Sequence, residues 1–230
     1  MPGVLYAIPT PLGGAAADAL PASALAVVRS LRSFVVENAK SARAFLKDTG
    51  MPRPIQDLRV SVLGQDVSAE IRALKSGESL GLLSEAGCPA IADPGAKLVE
   101  AAHAAGIRVV PLVGPSSIVL ALMASGLEGQ RFAFCGYLPR EARARARRIR
   151  ELEARSRRER ETQIFIETPY RNEVLFAALL QGLADTTSLC VATDLTLPSE
   201  TIATRSIAAW RKARADIGKR PTAYLLLSES

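Results

Sequence analysis

Short apolar runs alternate with helical patterns through the first half of the 230-residue chain. Apolar runs of about four to eight residues bounded by turn residues are typical of buried strands, whereas spacings of three and four are typical of helices. The predicted strands span residues 4–8, 34–38, 59–63, 79–84 and 107–112. The predicted helices span residues 41–48, 67–77 and 96–106. This alternation predicts a parallel α/β sheet with both faces covered.

Three segments rich in Gly and Pro follow predicted strands, at residues 9–14, 84–95 and 113–117. In a parallel sheet the carboxyl ends of the strands lie at one edge, and ligands bind there. Glycine turns allow the backbone to approach a ligand closely, because Gly lacks a Cβ and tolerates positive φ. We therefore expect these segments to form the rim of one cleft. The chain contains no Gly-x-Gly-x-x-Gly sequence, which weakens a dinucleotide-binding interpretation.

The pattern changes after Gly126. A strand followed by a loop is predicted over residues 131–140, and a long Arg-rich helix comes next. Further strands are predicted at 162–169, 188–195 and 222–230, and further helices near 171–182 and 206–214. We expect a boundary within 115–128. The predicted domains are an N-terminal parallel α/β domain, 1–115, and a C-terminal α/β domain, 116–230, that contains a basic helix at 140–160.

Composition excludes several classes of protein. No apolar stretch approaches the roughly 18 residues that span a bilayer, and the first residues lack the basic region of a signal peptide. Three isolated cysteines fit a reducing cytoplasm and argue against disulfides or structural zinc. His103 is the only histidine, which argues against Ser-His-Asp chemistry and polyhistidine metal sites. We expect a cytoplasmic protein with no membrane span and no metal.

Five collinear segments resemble one family: SEAGCPAIADPG, PLVGPSS, FCGYLPR, the basic helix that follows it, and IFIETPYR. They look like the small-subunit ribosomal RNA (cytidine-2′-O)-methyltransferases of the tetrapyrrole methylase superfamily. The resemblance implies two small α/β domains with a cleft between them for S-adenosylmethionine, and a homodimer. Departures occur where the family has EDTR and this chain has residues 37–40, and where it has RELTK and this chain has residues 193–197. Cys88 replaces a Thr of the family.

The resemblance also implies the cofactor-binding residues. These are Leu12, Ala86, Gly87, Cys88, Ile91, Ser116, Ser117, Glu167 and Thr196. Ser116 and Ser117 stand at the start of a predicted helix, so they could equally cap that helix. Asp93 and Pro94 are interpreted as an N-cap and a first helical residue, a structural role for Asp93 rather than a catalytic one.

Methyl transfer to a ribose hydroxyl requires alignment of the acceptor and removal or polarisation of its proton. Polar residues after predicted strand ends are the candidates: Glu37, Lys40, Glu167, Arg171 and Asp194. Glu167 and Arg171 match polar positions of the family and rank first, and Lys40 is retained with them as a predicted catalytic residue. Each of these side chains could instead form a structural ion pair.

Nearly all of the net charge of +6 lies in one segment. Residues 139–161 contain ten arginines and five glutamates. One interpretation is a solvated helix with the pairs Arg147–Glu151, Arg155–Glu159 and Arg157–Glu161, but Arg before Glu is the weaker orientation. Arginine binds phosphate through its two-pronged guanidinium, so we favour contact with an RNA backbone. The predicted RNA-binding residues are Arg140, Arg143, Arg147 and Arg150, whereas Phe132, Phe134 and Tyr137 are expected to pack in the core.

We therefore predict an S-adenosylmethionine-dependent methyltransferase that modifies a ribose in ribosomal RNA or the small ribosomal subunit. Two alternatives stay open. The acceptor could be a tetrapyrrole or another small molecule, although a basic rim has less use there. The departures at residues 37–40 and 193–197 also allow a non-catalytic relative that binds cofactor or RNA.

Overall fold

The computed structural model describes residues 1–213, 215 and 217–228. The chain divides into two compact units, Met1–Ser116 and Ser117–Ser230. Each unit contains a five-stranded sheet and helices, so the predicted α/β class is confirmed. In the part of the chain described here, no helix has the length and apolar character needed to cross a membrane.

The first unit is built on a parallel sheet. Its strands are β1 (Val4–Ile8), β2 (Ser33–Val36), β3 (Arg59–Val62), β4 (Leu80–Leu83) and β5 (Arg108–Pro111), in the spatial order β3-β2-β4-β1-β5. All five predicted strands are therefore confirmed to within two residues. β2 and β4 are buried along their whole length, as continuous apolar runs predict. The edge strands β3 and β5 have exposed ends, because each has only one neighbouring strand.

The helices of the first unit are α1 (Ala16–Ala19), α2 (Ala22–Ser30), α3 (Ala39–Asp48), α4 (Ser68–Lys75) and α5 (Ala96–Ala104). α3, α4 and α5 confirm predicted helices. α2 has no predicted counterpart, although it follows Pro21 and buries Ala24, Leu25 and Val28 at helical spacing. Its apolar side chains belong to the clusters that cover β1, β2 and β4.

The second unit is built on a mixed sheet. Its strands are β6 (Phe132–Tyr137), β7 (Thr162–Glu167), β8 (Ser188–Thr193), β9 (Thr201–Ser206) and β10 (Thr222–Leu227), in the order β6-β7-β10-β8-β9. Its helices are α6 (Ser117–Ser125), α7 (Ala142–Glu159), α8 (Asn172–Gly182) and α9 (Ile207–Lys212). β6 and β7 are parallel, and the other pairs are antiparallel.

A single apolar cluster fills the second unit. The rings of Phe165 and Tyr224 stack with centroids 5.8 Å apart, and the indole N–H of Trp210 donates to the Leu189 carbonyl at 2.8 Å. β9 was not predicted, because its residues are largely polar and it is an edge strand that pairs only with β8. The final residue of the predicted helix 206–214 and the last two of the predicted strand 222–230 lie outside the described residues.

Candidate active site

Thr10 and Gly87 join two of the Gly- and Pro-rich segments at the carboxyl edge of the first sheet. The Thr10 N–H donates to the Gly87 carbonyl at 2.9 Å, and the Gly87 N–H donates to the Thr10 carbonyl at 3.0 Å. The buried Ser84 hydroxyl also donates to the Gly87 carbonyl, at 3.0 Å. The segments 9–14 and 84–95 are therefore held together, as their positions after β1 and β4 predict.

Gly87 leaves room for its neighbours. Its φ is +79°, and a Cβ added to it would lie 3.3 Å from Leu12 Cδ2 and 3.7 Å from the Pro115 carbonyl oxygen. The Cys88 thiol donates to that same carbonyl, with Sγ 3.4 Å from the oxygen. Leu12, Gly87 and Cys88, three predicted cofactor-binding residues, are thus brought together around Pro115. Burial raises the pKa of the Cys88 thiol, which keeps the sulfur protonated and unreactive.

The segment after Cys88 carries backbone strain beside exposed apolar surface. Ala90 and Ala92 have φ values of +65° and +66°, a conformation that costs an alanine about 1 kcal/mol or more. Ile91 lies between them and is 50% exposed, and Ala86 is also exposed. Such strain persists where the surrounding structure enforces it, and it is frequent where proteins hold ligands. The segment offers an apolar side chain on which a flat ring can pack.

Gly114→Ala should destabilise the first unit. A Cβ at this position would lie 2.5 Å from Pro9 Cβ, in a rigid ring, and 2.8 Å from Leu20 Cδ2. Overpacking of this kind costs about 1–3 kcal/mol, so we expect a lower urea midpoint. Gly64→Ala is the matched control, because it also follows a strand of this sheet and its added Cβ would approach only the Asp66 backbone, at 3.7 Å. Equal midpoints for the two variants would contradict the close packing.

Asp93 does not cap α5. The prediction that Asp93 is the N-cap and Pro94 the first helical residue is wrong, because the helix begins at Ala96 and its N-cap is Gly95, with no side-chain cap. Gly95 has a φ of +132°, and a Cβ on it would lie 2.9 Å from Leu82 Cδ2. The chain therefore passes tightly over β4 and enters the helix two residues after the Asp-Pro signal.

Asp93 is instead part of an acidic group at this edge. The Glu85 N–H donates to Glu37 Oε2 at 3.3 Å, and the Ser41 hydroxyl donates to Glu85 Oε1 at 3.1 Å. Burial raises the pKa of Asp93 to about 6, and the charges of Glu37 and Glu85 contribute in the same direction. The edge thus presents negative charge to any cationic ligand.

Asp93→Asn should stabilise the protein at pH 7.5 but not below pH 4. Because the pKa of about 6 in the folded state exceeds the ordinary value of 3.8, wild-type stability falls as the pH rises between these values. The amide does not titrate, so it removes this loss. Since the carboxyl is partly exposed, we expect a gain of only about 1 kcal/mol. Urea titrations of both proteins at the two pH values measure it, and an identical difference at both would contradict the assignment.

Three predicted site residues lie at or directly before the start of a helix: Lys40, Ser116 and Ser117. Lys40 is the exposed second residue of α3, and its N–H donates at 2.9 Å to the side chain of Asn38, which caps the helix. α6 begins at Ser117, so Ser116 directly precedes it. Helix capping and cofactor contact both stay predictions for the two serines.

Glu167 and Arg171 form an ion pair at the carboxyl end of β7. A 3-10 turn, Pro169–Arg171, folds the chain back so that Arg171 Nη2 lies 3.1 Å from Glu167 Oε2. Glu167 Oε1 accepts from the Thr168 N–H at 2.7 Å and from its hydroxyl at 3.2 Å. Oε2 is buried and accepts no hydrogen bond from the described residues. Buried acceptors of this kind are rare, and each calls for an explanation.

The same arginine reaches the loop before the basic helix. Arg171 Nη2 donates to the Pro139 carbonyl at 3.4 Å, and Arg145 Nη1 donates to the carbonyls of Pro139 at 3.5 Å and Arg140 at 2.9 Å. Arg145 is buried, unlike the arginines predicted to bind RNA. These contacts tie the start of α7 to the end of β7.

Asp194 and Thr196 follow β8 at the same edge of the second sheet. Thr222 of β10 is in register with both Glu167 and Thr193, so Asp194 comes at the level of the β7 end. Asp194 Oδ2 accepts from the Ser199 hydroxyl at 2.9 Å and lies 3.6 Å from Arg220 Nη1. Asp194, like Glu167, is therefore paired with an arginine, and whether either carboxylate has a catalytic or a structural role stays a prediction. Thr196, with a φ of +73°, stays a predicted cofactor contact.

A buried network next to Arg171 was not predicted. The Asn172 side-chain amide donates to the Arg220 carbonyl at 2.7 Å and to the Thr222 hydroxyl at 3.2 Å. The Tyr224 hydroxyl donates to Asn172 Oδ1 at 3.2 Å. Burial, and then the charge of Glu167, raises the pKa of Tyr224. Asn172 directly follows Arg171 in the sequence, and this is the only signal that could have identified it.

α7 has one buried face and one basic face. Its N-terminus is capped by the Glu141 carboxylate, which accepts from the N–H groups of Arg143 at 2.8 Å and Ala144 at 2.6 Å; these bonds lower the pKa of Glu141. The buried face contains Arg145, Ile149, Leu152 and Ser156. The predicted RNA-binding residues Arg140, Arg143, Arg147 and Arg150 are all exposed. Residues 143, 147 and 150 share one side of the helix at spacings of four and three.

Ion pairs account for only part of the basic face. Arg147–Glu151 is confirmed at 3.6 Å. The predicted pairs Arg155–Glu159 and Arg157–Glu161 are wrong: Arg155 pairs with Glu161 at 2.9 Å, and Arg157 donates to the Ser228 hydroxyl at 3.2 Å. The helix ends at Glu159 and Arg160 takes a φ of +50°, so helical spacing no longer applies to Glu161. Among the residues described, the side chains of Arg140, Arg143 and Arg150 make no ion pair.

The expectation that the β6 aromatics pack in the core is wrong for two of the three. Phe132 is 44% exposed and Tyr137 is 54% exposed, whereas Phe134 is half-buried. β6 is an edge strand that pairs only with β7, so part of its surface has no covering element.

Within residues 1–213, 215 and 217–228, no group of three or more His, Cys, Asp or Glu side chains is positioned to bind a metal ion.

Comparison with known proteins gives the family. The model for Tetrapyrrole (Corrin/Porphyrin) Methylases matches residues 4–209. The chain is 37% identical over 203 residues to Ribosomal RNA small subunit methyltransferase I of Xylella fastidiosa, covering 87% of this chain and 71% of that protein. It is 34% identical over 183 residues to the protein of the same name from Pseudomonas aeruginosa, covering 80% and 60%.

Solved structures share the fold. The crystal structure of the methyltransferase CobJ has a TM-score of 0.64 at 16% identity, over 99% of this chain and 95% of that one. The crystal structure of diphthine synthase has a TM-score of 0.64 at 15% identity, over 98% and 89%. Such low identity establishes the fold alone. Because the family model matches most of the sequence and the fold agrees with it, the chain is a methyltransferase of the tetrapyrrole methylase family.

Proposed function

We propose that this protein uses S-adenosylmethionine to methylate a ribose 2′-hydroxyl in small-subunit ribosomal RNA. The relatives with 34–37% identity are named for methylating that RNA. The observation that favours RNA as the methyl acceptor is the exposed arginine face of α7. The Pro139 carbonyl, just before this helix, accepts a hydrogen bond from Arg171 of the Glu167–Arg171 pair. Arginines on one helix face suit successive phosphates, which a tetrapyrrole does not have.

The turns of the first unit fit the parts of the cofactor. Gly87 leaves space beside Leu12, and Ile91 offers an exposed apolar side chain to the adenine. The acidic group at Asp93 suits the positively charged ammonium and sulfonium of the cofactor. We assign cofactor binding in this unit to Leu12, Ala86, Gly87, Cys88, Ile91, Ser116 and Ser117. Glu167 and Thr196 of the second unit are further proposed contacts.

The bound cofactor supplies a methyl carbon that its sulfonium has already activated. The residues of the chain must align the acceptor oxygen, which can contribute about 7–11 kcal/mol, and remove its proton. We assign proton acceptance to the Glu167 carboxylate, whose Oε2 lies 3.1 Å from Arg171 Nη2 but accepts no hydrogen bond from the described residues. Arg171 orients that carboxylate and balances its charge. Lys40 is the proposed cation for the developing negative charge on the acceptor.

We further propose that the protein acts in the cytoplasm, as a homodimer, on ribosomal RNA or the small ribosomal subunit, with a domain boundary at residues 115–116. Free thiols at Cys88, Cys135 and Cys190 suit a reducing compartment. The homodimer rests on the family resemblance, and sedimentation velocity would test it.

Transfer of labelled methyl groups tests the function. We expect label from S-adenosylmethionine to enter undermethylated small-subunit particles or their RNA, and to be recovered as 2′-O-methylribose. If label entered tetrapyrrole precursors alone, the methyl acceptor would be a tetrapyrrole and not RNA. Cofactor binding without transfer to either would indicate a non-catalytic relative. A folded sample that binds no S-adenosylmethionine in a calorimetric titration would contradict the cofactor assignment.

A further inference from the structure

Two exposed tyrosines lie at the carboxyl ends of the neighbouring strands β6 and β7. Tyr170, in the 3-10 turn, is 82% exposed, and Tyr137, the last residue of β6, is 54% exposed. The two strands are parallel, and Tyr137 is in register with Ile166, so both tyrosines follow the same ends of adjacent strands. The hydrogen bond from Arg171 to the Pro139 carbonyl joins the segments that follow the two strands. Phe132 is the first residue of β6 and therefore lies at the opposite end of that strand from Tyr137.

Packing does not account for Tyr170. Its neighbours Pro169 and Arg171 are half-buried, while the tyrosine ring remains in solvent and gains little hydrophobic stabilisation. The ring does have a cation beside it, because Lys219 Nζ lies 5.5 Å from its centroid. An exposed ring next to an exposed ammonium group matches the two parts of a nucleotide, a flat base and a phosphate.

The position of the ring also matters. Tyr170 directly precedes Arg171 and is three residues from Glu167, so the turn that presents the ring also builds the ion pair. Glu167 and Asp194 at this edge are buried and paired with arginines, whereas Glu141, Glu173 and Glu200 are exposed. The exposed side chains of Arg140, three residues after Tyr137, and of Lys219, beside the Tyr170 ring, supply positive charge that a phosphate could contact.

We propose that Tyr170 and Tyr137 form a stacking platform for unpaired bases next to the methylated ribose. This inference rests on the proposed RNA-methylating function, and it adds that the recognised segment is single-stranded at this point. A duplex buries the faces of its bases in its own stack, whereas every unpaired base offers a face to an aromatic ring. Stacking on one such ring strengthens binding by about 5- to 150-fold per base, with little dependence on sequence.

Affinity measurements on two RNAs test the platform. Wild type, Tyr170→Ala and Tyr170→Phe would be titrated with an oligouridylate and with a duplex RNA carrying the same number of phosphates. We expect Tyr170→Ala to weaken oligouridylate binding by at least about fivefold and to leave duplex binding and the salt dependence unchanged. Tyr170→Phe, the matched control, should bind like wild type because it keeps the ring. Tyr137→Ala should act in the same direction as Tyr170→Ala.

Fluorescence gives a direct readout of stacking. In Tyr170→Trp the new indole should be quenched by oligouridylate and not by the duplex. The native Trp210 is buried and hydrogen-bonded to the Leu189 carbonyl, so its emission should form a constant background.

The outcomes separate the inference from the function on which it rests. Equal oligouridylate affinity of wild type and Tyr170→Ala would overturn the platform while RNA binding stands. An equal loss for oligouridylate and duplex would also overturn it, because Tyr170 would then contact the backbone. If wild type bound neither RNA, the proposed function and the platform would both fail, and an exposed tyrosine pair would then fit a protein partner.

Discussion

Glu167→Gln should lower the rate of methyl transfer by about 100- to 10,000-fold, the usual contribution of a positioned proton acceptor. The amide keeps the size of the side chain and an oxygen that can accept from Thr168, but it no longer takes a proton. The loss should appear in kcat more than in the affinity for S-adenosylmethionine. Single-turnover transfer of labelled methyl to small-subunit particles measures the rate, and calorimetry measures cofactor binding.

Glu173→Gln is the matched control for this variant. Glu173 lies in the first turn of α8, two residues after Arg171, and it is exposed, so the charge change is the same without the buried ion pair. We expect wild-type turnover from it. A Glu167→Gln protein that is folded by circular dichroism and turns over at more than about a tenth of the wild-type rate would contradict the assigned role.

Replacing Arg143, Arg147 and Arg150 together by Gln should weaken RNA binding by about 100-fold near 0.1 M salt. Each arginine that neutralises a phosphate releases counterions, so the slope of log affinity against log salt should fall in magnitude by about 2–3. The loss should be similar for single-stranded and duplex RNA, because phosphates are common to both. Fluorescence anisotropy at four salt concentrations gives both quantities.

An equal change of charge elsewhere provides the control. Arg32, Arg72 and Arg108 are exposed arginines of the first unit, and their triple Gln variant removes the same three charges. If both triple variants bound RNA equally weakly, net charge rather than the α7 face would account for affinity. If neither variant changed affinity or slope, α7 would have no part in RNA binding.

The positions of most strands could be predicted, because burial leaves a direct mark on the sequence. β2 and β4 are covered on both faces and are built from continuous apolar runs. The spatial order β3-β2-β4-β1-β5 could not be predicted in the same way, since periodicity locates strands without showing which of them pair.

Local sequence signals gave wrong or missing predictions of helices and strands where tertiary contacts determined the structure. Asp93 and Pro94 form a typical helix start, but the tight passage of Gly95 over Leu82 delays the helix. The polar alternation of β9 leaves no apolar run to detect, because only one side of this edge strand has a partner.

The candidate site was predictable only in outline. Strand ends correctly located the turns around Gly87 in the first unit and the pair of Glu167 and Arg171 in the second, because the residues that follow parallel strands lie at one edge of their own sheet. The sequence could not separate Arg145, which is buried beneath the Pro139 loop, from the other nine arginines of residues 139–161. It also could not show that Tyr137 is exposed, since the sequence pattern of a strand does not reveal whether that strand lies at the edge or in the centre of its sheet.

The helix α7 is fully folded in the free protein, and this affects the thermodynamics of RNA binding. Glu141 caps the helix, Arg160 ends it, and Ile149 and Leu152 pack it into the core, so its backbone is ordered before any partner arrives. Arginine-rich segments that fold on RNA bury new apolar surface and show a large negative heat-capacity change. The two large apolar side chains of this helix are already buried, so its encounter with RNA should have a small heat-capacity change and draw its favourable entropy from released ions.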